Sequence, residues 1–513
     1  MKRFICSVIL LGAAALCSCV AQASTSSPEA ASPSPAKTSA FAGTSWSPKV
    51  KTILAESKAA MGGATWNHIA SLRAEGTTKA GGLVGSRSSL ESLQTGRWIS
   101  YTKLGPIEVA YGFDGQTLWY KPPNGQASPI DAPDAKKRAV TSAYTTERAW
   151  WYPERSPAKI KLLGGKQADG KTFYVLKITP KGGKSFKLWI NAKTHLFARN
   201  ESHSQSGNST TYLSDYRTVE GIKIPFHRLT VTGKQRRRIT RQLKSVSVNV
   251  PVSASDFAMP VQNRKAVTII GGGNQVTIPF KYVGNLISIR VKVNGHPFNF
   301  IVDSGGGNVL TPQAARAIGI EGQGALKAGG YGSKTVKAGF SKVKSLVLDG
   351  KISFRNQLFR IIPLPGMVSR QSIAGTVGYG LFKHFVVRID YAHKKLTLSR
   401  PANFGASNAG TRIPISFFGP IPAVKGSIDG LPGLFLIDTG TNPTLILASP
   451  FARKHDLCAR YRWRLPGQDE RPCRAGRQVE ARRRYGPQSR HSPQHGDQQG
   501  RGFEQGVRRD RRR

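Results

Sequence analysis

Two copies of one short unit constrain this chain more than any other feature of its sequence. The motif FIVDSG recurs as FLIDTG further along the chain. Each copy follows an alternating strand pattern and an Asx-Gly turn, Asn294-Gly295 or Asp429-Gly430, which is a strong signal for a β-hairpin. In both copies the Asp of the motif lies eight residues after the turn glycine. The matched spacing indicates an internal duplication.

Each unit ends in a carboxylate, at Asp303 in the first copy and at Asp438 in the second. One copy alone predicts an ordinary turn in which the Asp caps a loop. Two carboxyl groups brought close together cannot both ionise easily, so one keeps its proton and the pair holds an acid and a base at the same pH. The charged member can take a proton from water while the protonated member donates to a carbonyl oxygen. The repeat therefore predicts a hydrolytic site that needs no metal or cofactor.

The sequence around both copies resembles the pepsin-like and retropepsin-like aspartic peptidases, above all the bacterial exported members with two lobes in one chain. The resemblance covers about 277–457 and includes the phrase TVG at 376–378, which matches the apolar-apolar-Gly element of a lobe. The first copy has a serine where this family more often has threonine, and the hydroxyl is kept. The resemblance implies a catalytic pair of aspartates with supporting hydroxyl and glycine residues, namely Asp303, Asp438, Ser304, Gly305, Thr439 and Gly440.

The same family covers its cleft with a hairpin flap. The stretch LKAGGYGSKTVKAGF at 326–340 matches such a hairpin, and the resemblance implies that Tyr331 lies at its tip. A glycine-rich surface hairpin with no part in the site is the alternative for these residues.

A different pattern fills the chain from 46 to 262. One helical stretch with a glycine stop precedes short, alternating, aromatic-rich strands that are separated by turn residues. The order of elements and the phrase DYRTVEGIKIPF resemble the periplasmic LolA/LolB-like lipoprotein carriers. That resemblance implies a half-barrel that holds an acyl chain or a hydrophobic peptide, and a β domain without a ligand is the alternative. The consecutive Trp150, Trp151 and Tyr152 are expected to divide between core and rim, because neighbours on a strand face opposite sides.

The sequence therefore predicts a mainly β fold. An N-terminal curved antiparallel sheet or half-barrel with a helix is followed by a two-lobed, aspartic-protease-like β-barrel. The second lobe has its Asp tip but no recognisable second flap, second apolar-apolar-Gly element or closing strands. We expect that lobe to be truncated, with an exposed core and impaired activity. The predicted segments are a signal peptide at 1–23, a flexible tether at 24–45, the β domain at 46–262, the first lobe at 277–402, the start of the second lobe at 403–457 and an Arg-rich tail at 458–513.

The first residues are typical of an export signal. Lysine and arginine at positions 2 and 3 precede an apolar run that is too short to cross a bilayer. Two cleavage patterns compete, a small-x-small site at Ala21-Gln22-Ala23 and a bacterial lipoprotein box that ends at Cys19 as the lipidated residue. Both predict export to the bacterial periplasm or cell envelope, either free or lipid-anchored.

The charge of the chain adds an expectation about partners. A formal net charge of +48 favours anionic partners such as an envelope surface. No zinc spacing, basic heptad helix or aromatic RNA-binding motif predicts specific nucleic-acid binding. No lysine follows Lys454, and the Arg-rich remainder lacks helical and strand periodicity. It fits either a basic disordered tail or DNA translated out of frame.

Two functions remain open at this level. The first is an exported aspartic endopeptidase that hydrolyses polypeptides. The second is a non-catalytic envelope protein that binds lipid or peptide through the N-terminal β domain. An incomplete second lobe also allows two first lobes to pair as a homodimer, with Asp303 from each chain. No HExxH or GxSxG motif supports another class of hydrolase.

Overall fold

The structure is a computed structural model that describes residues 46–124, 127–130, 134–204, 207–233, 237–261, 266–329, 335–364, 372–405, 411–418, 421–441, 445–455, 457 and 479–480. The fold is 54% strand and 15% helix, so the predicted mainly β class is confirmed. The predicted signal peptide and tether, Cys19, Tyr331 and nearly all of the Arg-rich tail lie outside the described residues.

Helices are few and short. The first is the predicted one, and Ser47 caps it by accepting a hydrogen bond of 3.4 Å from the Val50 N–H. The sequence analysis does not predict the second, Ala135–Thr146. The α-helices in the described residues are Pro48–Ala60, Ala135–Thr146, Pro312–Ala317, Gly380–His384 and Ser449–Lys454, and the 3₁₀ helices are Gly63–His68, Ala254–Phe257 and Pro401–Asn403.

One large antiparallel sheet forms the N-terminal region. Its strands are β1 Ser71–Ala80, β2 Leu83–Ser92, β3 Trp98–Leu104, β4 Ile107–Phe113, β5 Leu118–Lys121, β6 Ser128–Pro129, β7 Ala158–Ala168, β8 Lys171–Pro180, β9 Phe186–Asn191, β10 Phe197–Ser204, β11 Gly207–Val219, β12 Ile222–Thr232 and β13 Arg237–Val248. Their order is β6-β5-β4-β3-β2-β1-β13-β12-β11-β10-β9-β8-β7. The predicted β8–β9 hairpin is confirmed, with Phe173 opposite Asn191. The first and last strands of the region therefore meet in the middle of the sheet.

Aromatic side chains fill the core on one face of this sheet. Trp150, Trp151 and Tyr152 are all buried there, together with the apolar side of the helix Pro48–Ala60. Trp151 stacks on Phe197 with ring centroids 5.4 Å apart. The prediction that the three consecutive aromatics divide between core and rim is wrong, because they lie in the turn after the helix Ala135–Thr146 and not on a strand.

The C-terminal region contains shorter strands. They are β14 Val267–Ile269, β15 Gln275–Pro279, β16 Lys281–Val283, β17 Leu286–Val293, β18 His296–Val302, β19 Val309–Leu310, β20 Gln323–Gly329, β21 Thr335–Leu348, β22 Ile352–Ile361, β23 Ile373–Val377, β24 Val386–Asp390, β25 Lys395–Ser399, β26 Ile415–Phe418, β27 Ile421–Ile428, β28 Leu431–Leu436, β29 Ile446–Leu447 and β30 Val479–Glu480. Strand β30 lies in the predicted tail, where periodicity predicts no strand, and it pairs with β29.

These strands form several sheets within the described ranges. The largest has the order β14-β22-β19-β23-β18-β17-β21-β20, with β16 also paired to β17. The strands β15, β25 and β24 form a second sheet, and β26, β27 and β28 form a third. Strand β18 runs parallel to β23, which places Val302 beside Val377. The predicted domain boundaries stay predictions, although β14 already pairs with β22 upstream of residue 277.

The N-terminal sheet contacts the hairpin β20–β21 of the C-terminal region. Leu83 and Leu104 share a buried cluster with Ala338 and Phe340. The Ala325 N–H also donates a 2.9 Å hydrogen bond to the Gly81 carbonyl. None of the helices in the described ranges has the length and apolar character needed to span a bilayer.

Candidate active site

The two motif copies form matched hairpins. Strands β17 and β18 meet at Asn294-Gly295, and strands β27 and β28 meet at Asp429-Gly430. The φ angles are 49° and 90° in the first turn and 48° and 75° in the second. Positive φ at both central residues is the geometry that an Asx-Gly pair favours in a two-residue hairpin. Each hairpin then delivers an Asp-hydroxyl-Gly tip at the end of its second strand.

Four hydrogen bonds join the two tips in a reciprocal pattern. The Ser304 hydroxyl donates to the Ile437 carbonyl at 2.9 Å and accepts from the Thr439 N–H at 3.0 Å. In return, the Thr439 hydroxyl donates to the Val302 carbonyl at 2.8 Å and accepts from the Ser304 N–H at 3.0 Å. Each hydroxyl uses both its donor and an acceptor position on the backbone of the other copy. The serine of the first copy therefore makes the same contacts as the threonine of the second.

The glycine after each hydroxyl residue lies against the aspartate of the other copy. A Cβ added to Gly305 would lie 2.3 Å from Asp438 Cγ, and one added to Gly440 would lie 2.5 Å from Asp303 Cγ. Any larger residue would push the carboxyl groups apart. Each glycine N–H also donates to its own copy's aspartate, at 3.0 Å to Asp303 Oδ1 and 2.9 Å to Asp438 Oδ1.

The two carboxyl groups interact directly. Burial raises the pKa of Asp303 to about 7, and the charge of Asp438 and a side-chain hydrogen bond with it act in the same direction. The Arg360 guanidinium and the Gly305 N–H oppose that rise. Near neutral pH the pair can therefore hold one proton between two carboxyl groups. The structure brings the six predicted site residues together, and their catalytic roles stay predictions.

The segment 376–378 supports the loop that carries Asp303. The Asp303 N–H donates to the Val377 carbonyl at 2.9 Å, and the Thr376 hydroxyl donates to the Gly307 carbonyl at 2.9 Å. A Cβ on Gly378 would lie 2.4 Å from Gly307 Cα, so the close approach of these two backbone segments requires glycine. The apolar-apolar-Gly element thus packs beside the first Asp loop.

Two residues of this site, Asn308 and Arg360, were not predicted from the sequence. Asn308 is buried, and its side-chain oxygen accepts the Gly378 N–H at 2.9 Å. Asn308 directly follows the glycines of the motif, and this position is the sequence signal that could have identified it as a site residue. Arg360 reaches the loop because β22 runs parallel to β19 with Arg360 opposite Val309, and its guanidinium lies near Gly307. No spacing in the sequence predicts that Arg360 lies beside this loop.

The second copy is less buried than the first. Phe300, Ile301 and Val302 are at most 2% exposed. In the second copy, Ile437, which corresponds to Val302, is 44% exposed. The truncation of the second lobe and its exposed core stay predictions.

The hairpin predicted as a flap exists as β20 and β21. Lys327 of β20 lies opposite Lys337 of β21. The turn that joins the strands, which includes Tyr331, lies outside the described residues, so the assignment of Tyr331 to a flap tip stays a prediction.

The fold and the paired tips define an aspartic-protease-like region beside a large antiparallel sheet. Residues 289–380 match the family model described as Aspartyl protease, a stretch that includes Asp303 and ends before Asp438. The resemblance predicted from the sequence is confirmed over these residues. A search of curated proteins gives no match.

Several solved structures resemble parts of the chain. A retropepsin-like aspartic protease from Rickettsia conorii is 20% identical, with 26% of this chain and 93% of that chain covered and a TM-score of 0.20. A LolA superfamily protein from Nitrosomonas europaea is 16% identical, with coverages of 41% and 97% and a TM-score of 0.31. A DUF1329 family protein from Desulfovibrio piger is 15% identical, with coverages of 41% and 97% and a TM-score of 0.30.

Proposed function

We propose that this chain is an aspartic-type endopeptidase that hydrolyses peptide bonds with Asp303 and Asp438. The observation that carries the proposal is the reciprocal set of hydrogen bonds between Ser304, Thr439 and the opposite backbone. A single Asp-hydroxyl-Gly turn is an ordinary structural feature. Two such turns that are locked together, with their carboxyl groups in contact, form an acid–base pair.

The proposed chemistry follows from the unequal protonation of the two carboxyl groups. Because burial and the neighbouring carboxyl group raise the pKa of Asp303, we assign Asp303 the role of the acid and Asp438 the role of the base. Asp438 takes a proton from a water molecule, whose oxygen attacks the peptide carbonyl carbon, while Asp303 donates its proton to the carbonyl oxygen. The tetrahedral intermediate then breaks its C–N bond as Asp438 passes its proton to the departing nitrogen and one hydroxyl of the intermediate returns a proton to Asp303. Both products leave neutral overall, and the pair regains its single proton.

Hydrolysis of an unfolded protein such as reduced, alkylated lysozyme tests this proposal. Substitution of either catalytic residue, as Asp303→Asn or Asp438→Asn, is expected to lower the rate by about 10²–10⁴-fold. Asp429→Asn is the matched control, because it changes a carboxylate in the adjacent turn, where asparagine tolerates the positive φ. Pepstatin should inhibit the wild type. If cleavage persists in both catalytic variants, or is absent from the wild type, the non-catalytic envelope binding protein becomes the better hypothesis.

We further propose that the chain is exported to the bacterial envelope, on the strength of its N-terminal sequence pattern. Fractionation of cells that express the full chain, with Cys19→Ala and labelled palmitate, separates the lipoprotein from the freely exported form. Recovery in the cytoplasm would contradict both forms. The pairing of two first lobes and the contact with an anionic envelope surface stay predictions.

A further inference from the structure

Three arginines lie next to one another on one face of the N-terminal sheet. Arg228 of β12 is directly opposite Arg241 of β13, and Arg241 is opposite Thr78 of β1. Arg87 of β2 is opposite Gly76, which shares a face with Thr78 because alternate strand residues point the same way. We call Arg87, Arg228 and Arg241 the arginine layer. Only the small Gly76 and Thr78 separate its members across β1.

This face is the inner one, which also carries the apolar clusters. On one side of the arginine layer, Leu72 of β1 packs into the aromatic core that contains Trp66 and Trp151. On the other side, Ala80 and Ile239 pack into the cluster that contacts the hairpin β20–β21. The arginine layer thus forms a polar band between two apolar regions.

The layer is partly enclosed by the protein. All three side chains are half-buried, and Arg228 Nε is a buried donor without a partner among the described residues. Burial and then the charge of Arg228 lower the pKa of Arg241 to about 10. Burial likewise lowers the pKa of Arg87, and the charges of Arg241 and Arg228 add to this effect. Arginine still stays protonated at neutral pH.

Nearby protein groups balance this charge only in part, because the charge of Glu91 opposes the lowering of the pKa of Arg228 and of Arg87. The adjacent carboxylate is Glu91, and its Oε2 lies 2.9 Å from a nitrogen of Arg148. Arg87 donates to the neutral Thr102 hydroxyl at 3.1 Å. In the described part of the chain, no carboxylate lies within ion-pair distance of any member of the arginine layer. Like charges directly opposite one another on a sheet are destabilising, so the layer carries a cost that a bound anion would relieve.

We propose that the arginine layer binds a phosphate-type oxyanion on the inner face of the N-terminal sheet. Guanidinium groups match phosphate oxygens through paired N–H donors, and no carboxylate of the described residues forms an ion pair with these three guanidinium groups. The flanking apolar regions suit a phosphate that is attached to short acyl chains, and the same arginines suit free phosphate. This site lies apart from Asp303 and Asp438, so it stands or falls independently of the proposed peptidase.

Calorimetric titration of the full chain tests the proposal with inorganic phosphate and with dihexanoyl phosphatidylglycerol as probes. The wild type is expected to bind at least one probe, and Arg228→Gln and Arg241→Gln should weaken that binding at least about tenfold. Arg73→Gln is the matched control, because Arg73 is an exposed arginine on the opposite face of β1. It should leave the affinity unchanged. Dihexanoylglycerol lacks phosphate, so it should not show binding that Arg228→Gln weakens.

Each outcome bears on the proposal. Equal affinity for both probes identifies phosphate itself as the ligand, and binding of the lipid alone identifies a lipid headgroup. Loss of binding equally in Arg73→Gln and Arg228→Gln would overturn the proposal, as would a wild type that binds neither probe. Thermal unfolding shows whether each variant is folded. Without phosphate, Arg228→Gln should melt at or above the wild-type temperature, and phosphate should raise the melting temperature of the wild type and of Arg73→Gln but not that of Arg228→Gln. A variant that melts lower, with no phosphate effect on the wild type, would mean that the arginines are structural.

Discussion

Ser304 and Thr439 decide whether the two aspartates form one site. Each hydroxyl donates to one backbone group and accepts from another across the junction. The sequence analysis could predict that hydroxyls would hold the tips together, because two matched motifs imply a matched contact. It could not predict that Arg360 lies beside the pair, since that depends on the register of β22 against β19.

Loss of the Ser304 hydroxyl should loosen the junction. Ser304→Ala leaves the Ile437 carbonyl and the Thr439 N–H without their partner, and each net hydrogen bond contributes about 1 kcal/mol. We expect about 2 kcal/mol less protection of the Thr439 amide in hydrogen exchange. Ser304→Thr keeps the hydroxyl and should retain the wild-type protection. Equal protection in the alanine and threonine variants would show that the hydroxyl does not hold the tips.

Removal of the Arg360 charge should move the pH profile of peptide cleavage. Arg360 favours the ionised form of Asp303, so Arg360→Gln raises the pKa of Asp303 above about 7. Because the shared proton is lost at high pH, the alkaline limb of the cleavage profile should move upward by up to about one pH unit. Arg355→Gln changes an exposed arginine on the same strand and serves as control. If the alkaline limb of Arg360→Gln stays in place or moves to lower pH, Arg360 does not favour the ionised form of Asp303.

The hairpins themselves were predictable, whereas their burial was not. Asn-Gly and Asp-Gly pairs encode the turn locally through their tolerance of positive φ. FIV and FLI look equivalent as strand sequences, yet burial depends on what packs against each strand. Phe300 meets Phe359 with ring centroids 6.2 Å apart, whereas Ile437 of FLI is 44% exposed. The helix Ala135–Thr146 was not predicted for a related reason, because Val140 and Tyr144 are its only large apolar residues and give no clear helical pattern.

The two strands should differ in their response to truncation. Phe300→Ala removes a fully buried ring and should destabilise the first lobe by about 3–5 kcal/mol. Leu434→Ala should change stability by no more than about 0.5 kcal/mol. Hydrogen exchange at the amides of β18 and β28 measures each effect locally. Comparable losses in both strands would contradict the burial difference.

At the scale of the whole molecule, the N-terminal sheet supports the hairpin that the sequence analysis predicts as a flap. The Ala325 N–H of β20 donates to the Gly81 carbonyl at 2.9 Å, and Lys342 Nζ of β21 lies 3.3 Å from Glu108 Oε1. Surface ion pairs contribute little, so the buried apolar cluster that contains Leu83 and Phe340 is the stronger link. Sequence patterns identify the two regions separately, but no pattern in either one predicts that they touch.

A cavity in the apolar cluster between the N-terminal sheet and the hairpin β20–β21 should destabilise that hairpin. Leu83→Ala removes a buried side chain and should cost about 2–4 kcal/mol, with faster hydrogen exchange at amides 335–340 and slower peptide cleavage. The neighbouring Val84 is 59% exposed, so Val84→Ala is the matched control. Identical exchange in the two variants would mean that the N-terminal sheet does not support the hairpin.

The central claim is that Asp303 and Asp438 share a proton, and ¹³C NMR of labelled aspartate carboxyls measures this directly. The Asp303 signal, assigned from its loss in Asp303→Asn, should titrate with a midpoint near 7 in the wild type. In Asp438→Asn the midpoint should fall, because the neighbouring negative charge is gone. A wild-type midpoint near the ordinary value of about 4 that Asp438→Asn leaves unchanged would contradict the dyad.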